Sequence, residues 1–108
     1  MRILFDQGTP VPLRPLLSHH IVRTAAEEGW DTLSNGDLLR AAEEAAFDLL
    51  LTTDKSMPYQ QNLVGRRIAV VVLSVQAWHR ISLHAQLVVN AVGAAKPGEF
   101  TRVEMPAD

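Results

Sequence analysis

Two short segments of the 108-residue chain place a carboxylate where a run of apolar residues stops. Residues 2–8 read RILFDQG and residues 47–56 read FDLLLTTDKS, so Asp6 and Asp54 each terminate a strand-like run. Two carboxylates at close range raise each other's pKa unless a cation lies between them. An oxygen-only pair suits Mg²⁺ or Mn²⁺, which take one or two carboxylates and keep several waters. Such an ion polarises a phosphoryl oxygen and supplies hydroxide as a nucleophile. Asp37, near the start of the helix-like segment LSNGDLLRAAEEAAF (33–47), is a third candidate. The positive end of a helix dipole favours an anion there, either a side chain or a substrate phosphate. Each acid also has a purely structural reading. TTDKS and DQG have the composition of turns, and Ser34-x-x-Asp37 has the spacing of a capping box.

The elements that must position these acids follow from the hydrophobic pattern. Strands are expected at 2–6, 20–25, 48–53 and 68–74, with a weaker edge strand at 99–105. Leu49-Leu50-Leu51 and the run IAVVVLS (68–74) are apolar without alternation, as strands buried on both faces of a parallel sheet are. A helix is expected to open near Pro12 or Leu13, burying Leu13, Leu16 and Leu17 and tolerating Pro15 in its first turn. The segment 33–47 predicts a helix with Leu38, Ala42, Ala45 and Ala46 on its buried side. Residues 57–63 predict a turn or short helix. Residues 82–92 predict one further helix, with Ser82 as cap and Gly93 as stop. Alternating strands and helices imply an α/β domain over 1–108. It is a three-layer α/β/α arrangement whose mostly parallel sheet has four to five strands, with helices on both faces. In a 2-1-3-4 strand order the first and third strands are neighbours, and Asp6 and Asp54 share the carboxyl rim where such sheets bind ligands.

Composition narrows the function classes. There is no cysteine, which removes disulfides, thiolate metal sites and cysteine nucleophiles. The formal net charge of −2 argues against a broadly basic nucleic-acid surface, so any RNA contact must be local. No apolar stretch approaches about 20 residues and no signal-like start precedes Asp6, so a cytoplasmic chain with no membrane partner is expected.

The blocks RILFDQGTP, HHIV and LSNGDLLRAAEEAAFDLLLTTDKS, in this order and spacing, resemble the small PIN-like proteins over about residues 1–75. These are compact relatives of the PIN ribonuclease domain, often the toxin-like member of bacterial toxin–antitoxin pairs. The resemblance implies a metal-dependent ribonuclease using Mg²⁺ or Mn²⁺, an RNA substrate and an antitoxin protein as partner. Asp6 and Asp54 match the family's acidic positions, and Asp37 falls on the glutamate of its helix-start motif. The chain departs from the pattern at Gln7, Asn35 and Ser56, where the family carries acids, and at Met57, where it carries phenylalanine. Gln, Asn and Ser offer oxygens but no negative charge. A second reading is therefore a catalytically weakened or inactive PIN-like module that binds a partner chain or forms a homodimer. A phosphoacceptor receiver domain is a third, but Asp6-Gln7 and VVVLSVQ (70–76) lack its paired acids and its strand-ending lysine.

The remaining chemistry-bearing residues are read as structural. Adjacent His19 and His20 point to opposite faces of a strand, and His79 and His84 are not at metal-binding helical spacing. Arg66-Arg67 is a solvated pair at the end opposite the acids. Trp30 closes a core and Trp78 anchors the approach to the last helix. Lys55, beside Asp54 at the rim, is a surface lysine or a holder of phosphate or an acidic partner.

Overall fold

A computed structural model of the protein describes residues 1–106. Five strands form a single sheet: β1 (Arg2–Phe5), β2 (Ile21–Thr24), β3 (Leu49–Thr52), β4 (Ala69–Leu73) and β5 (Phe100–Val103). Their order is β2-β1-β3-β4-β5 and every neighbouring pair is parallel. β2 and β5 are the edges. The three interior strands account for the unalternating apolar runs, because side chains from each strand enter two cores. Ile3, Phe5, Leu49, Leu51 and Val71 pack on one face under a 3-10 helix (Val11–Leu17) and two later helices. Leu4, Leu50, Val70 and Val72 pack on the other under α1 (Asn35–Glu44) and the short α2 (Met57–Gln60).

Three local expectations are corrected. The proline-rich segment forms a 3-10 helix with Pro15 inside it, and it buries Leu13 and Leu17 but leaves Leu16 46% exposed. Prolines lack the N–H that a longer α-helical ladder needs. The last helical region is two helices, α3 (Trp78–Leu83) and α4 (Ala85–Ala94), separated where His84 leaves helical geometry (φ −129°, ψ 29°). Ser82 is therefore no cap: its hydroxyl donates to the His79 carbonyl within α3 (2.7 Å), and Gly93 lies inside α4. In α1 the buried side is Leu38, Leu39 and Ala42, while Ala46 lies beyond the end. Ala46 takes φ 63°, its N–H donates to Glu43 O (3.0 Å), and the Phe47 N–H donates to Ala42 O (2.9 Å). This pair of bonds is a Schellman stop, here with alanine in the position that usually takes glycine. Among the described residues no helix is long and apolar enough to cross a membrane.

Candidate functional site

Strand pairing brings the two acids to one rim. Phe5 is opposite Leu51, and the Asp6 N–H extends the ladder by donating to Leu51 O (3.0 Å). Alternation then sends the side chains of Leu4 and Asp6, and of Leu50, Thr52 and Asp54, toward the α1 side. Thr52, fully buried at the end of β3, joins the acids. Its hydroxyl donates to Asp6 Oδ2 and accepts the backbone N–H of Asp54 (3.0 Å). The loop after β1 is pinned as well: Thr9 N–H donates to Asp6 O (3.0 Å) and Thr9 Oγ1 to Leu51 O (2.8 Å). In that loop Gly8 lies directly on β3's continuation, where an added Cβ would stand 2.5 Å from Thr53 Oγ1 and 3.1 Å from Gln76 Nε2.

Asp54 has the more elaborate surroundings. Its Oδ1 accepts from the Ser56 N–H (2.9 Å) and hydroxyl (2.5 Å), and its Oδ2 accepts from Asn35 Nδ2 (2.8 Å). Asn35 Nδ2 also donates to Gln60 Oε1 (3.1 Å), which ties α1 to α2. The Ser56 hydroxyl first, then the Asn35 amide, hold the Asp54 carboxyl below its ordinary range, with the Ser56 N–H adding to them and partial burial opposing. Asp54 is thus an ionised, oriented carboxylate. The turn reading of TTDKS is also correct, since the Ser56 N–H bond to Oδ1 closes an Asx turn.

Asp37 is not part of this set. Ser34 Oγ accepts its N–H (3.4 Å), so the capping reading is realised on the serine side, and its carboxylate pairs with Arg40 (2.9 Å). The α1 residue that reaches Asp54 is Asn35. Positions two apart on an α-helix lie about 200° apart around its axis, so Asn35 and Asp37 do not face the same point. Among the described residues no three His, Asp or Glu side chains come together as a metal site. What the rim offers is two carboxylates, each oriented by hydrogen bonds in the way that supporting groups orient metal ligands. That donor set fits a hydrated Mg²⁺ or Mn²⁺ and not an ion enclosed by protein.

Two cavities flank the acids. One, of about 120 Å³, is lined by Asp6, Gln7, Thr9 and the end of β2. The other, of about 400 Å³, lies at the carboxyl ends of β3 and β4 and is lined by Thr53, Lys55, Ser74, Gln76 and Arg80 among others. A third, of about 270 Å³, is at the opposite end of the sheet beside Glu43 and Arg67. There Arg66 is ion-paired to Glu43 (2.8 Å), not free in solvent as the sequence reading has it. Near that end, too, His20 receives the N-terminal ammonium at Nδ1 (3.2 Å). Trp30 packs edge-on against Phe47 (6.0 Å), a core role.

Thr52, Gln60 and Arg80 are absent from the sequence-derived site. A threonine ending a strand is indistinguishable from an ordinary strand former, and nothing local marks the other two. Tyr59, which is 79% exposed with the Arg102 guanidinium 5.0 Å from its ring centre, is likewise invisible in the sequence pattern. Comparison with protein-family models, curated proteins and solved structures found no match for this chain.

Proposed function

We propose that the chain is a PIN-like, Mg²⁺- or Mn²⁺-dependent ribonuclease that hydrolyses RNA phosphodiester bonds, acting as the toxin-like member of a bacterial toxin–antitoxin pair. The observation that carries this reading is the sharing of one buried hydroxyl, that of Thr52, by the side chain of Asp6 and the backbone of Asp54 at the carboxyl rim. Asp6 and Asp54 would hold the ion, which when bound supplies positive charge to a phosphoryl oxygen and lowers the pKa of water. Thr52, Asn35 and Ser56 orient the two carboxylates, and Asn35 and Ser56 keep Asp54 ionised. The test is cleavage of RNA in Mn²⁺ by the wild type and by Asp54→Asn. Cleavage by the wild type alone supports the proposal; no cleavage by either protein removes it.

A second reading, a PIN-like module that acts by binding another protein or its own copy, draws on a different observation. Asn35 and Ser56 stand at positions where the resembled pattern has acids, and they spend their donors on Asp54. The carboxylate's oxygens are then occupied by donors of the chain itself, and its claim on a cation is weakened. This reading expects no turnover and a defined complex in a measurement of size, alone or with the product of a neighbouring gene.

A further inference from the structure

The acids use one side of the rim; cations occupy the other. Asp54 meets Asn35 of α1, whereas Thr53 and Lys55 line a cavity shared with Arg80 of α3. This cavity, of about 400 Å³, is lined by Lys55 and Arg80 together with the polar side chains of Thr53, Ser74 and Gln76. Its size is within the range of small-molecule sites. Arg80 is fixed in place, because Nη2 donates to Met105 O (3.3 Å) and Pro106 O (3.2 Å), the segment that follows β5. These two acceptors leave other guanidinium N–H groups over. Gln76 is held by Thr53 Oγ1 (3.3 Å), and Ser74 Oγ accepts the Met105 N–H (2.9 Å).

Most other arginines are committed elsewhere. Arg14 and Arg23 pair with Glu27, Arg40 with Asp37 and Arg66 with Glu43. Arg2 lies over Phe47, and Arg102 over Tyr59. Among the described residues, neither Lys55 nor Arg80 has a carboxylate within ion-pair distance. In a chain of net charge −2, two cations and three uncharged polar groups around one cavity, beside a pair of acids, are a local device for an anion.

We propose that this cavity is a phosphate-binding subsite, in which Lys55 and Arg80 hold a phosphate of the RNA strand next to the one presented to Asp6 and Asp54. The identity of the strand as RNA rests on the nuclease reading; the phosphate chemistry of the cavity does not. The strand would pass over the rim, across the packed Gly8, Thr53 and Gln76, with the acids on one side and the cations on the other. Lys55 is the residue to test, since it is exposed and makes no contact that holds the fold, whereas Arg80 anchors the chain after β5.

The experiment measures binding of a short oligoribonucleotide in EDTA over a range of salt, for the wild type, Lys55→Gln and Lys55→Glu, with inorganic phosphate as a competing ligand. One lost charge-assisted contact weakens binding by about tenfold. The slope of log affinity against log salt falls by about 0.7 for a single strand. Lys55→Glu weakens binding further. If phosphate binds in a Lys55-dependent manner and the oligonucleotide does not, the subsite stands and its ligand is a free phosphate group. Equal affinity and equal salt slope in all three proteins overturns the proposal, as does failure of the wild type to bind either ligand. Lys55-dependent binding in a protein that cuts no RNA in Mn²⁺ leaves the subsite intact and removes the nuclease reading alone.

Discussion

The amide of Asn35 donates to the carboxylate of Asp54 across 2.8 Å, from the first residue of α1 to the loop beyond β3. An uncharged donor therefore stands where a second acid would create a stronger demand for a cation. Asn35→Asp reverses this: it replaces a charge-assisted hydrogen bond with like-charge repulsion. The variant melts at a lower temperature than the wild type in EDTA, and added Mn²⁺ restores more stability to it than to the wild type. Melting curves with and without Mn²⁺ read both effects.

Thr52 joins the two halves of the rim through a hydroxyl that is fully buried. Thr52→Val keeps the shape and leaves the Asp54 N–H without its acceptor and Asp6 Oδ2 without its donor, while Asp6 Oδ1 keeps the Gln7 N–H. The expected loss is about 1–3 kcal/mol in a denaturant titration, and Thr52→Ser, which retains the hydroxyl, loses less.

Acid sensitivity follows from the depressed carboxyls. Asp54 is held below its ordinary value of 3.8 by the Ser56 hydroxyl and the Asn35 amide. Glu27 is lowered to about 2 by its hydrogen bond from Arg14 and the Thr24 N–H. A group whose folded pKa is depressed contributes stability that is present above its unfolded value and is lost as pH falls toward the folded one. Melting temperature should therefore fall as pH drops from about 5 to 2, and Asp54→Asn should flatten part of that fall.

Ala46 ends α1 in a left-handed conformation at φ 63°. A side chain there costs about 1 kcal/mol. Ala46→Gly is expected to raise stability by up to about 1 kcal/mol without changing the rim, as read by the denaturant midpoint and by unaltered Mn²⁺ response.

Much of this arrangement was legible in the sequence because interior parallel strands are apolar on both faces. The runs ending at Asp6 and Thr52-Thr53-Asp54 have the pattern of such strands, and in a 2-1-3-4 order their ends are adjacent, as the structure has it. What the sequence hid depends on angles and on distant partners. Asn35 and Asp37 are equally close to the helix start, and only the rotation of α1 on the sheet selects Asn35 for Asp54. The break at His84 has no proline or glycine to announce it, so the sequence reads one helix over 82–92 and takes most of α3 as the approach to it. The cationic cavity needs Arg80, whose placement depends on carbonyls at Met105 and Pro106, far along the chain.

The central claim, that Asp6 and Asp54 form one site for a divalent cation, is tested most directly by calorimetric titration of Mn²⁺ into the folded protein. The wild type is expected to bind a single ion, and Asp6→Asn and Asp54→Asn are each expected to abolish that binding while remaining folded. A wild type that takes up no Mn²⁺, or an Asp54→Asn protein that binds it as tightly as the wild type, would contradict it.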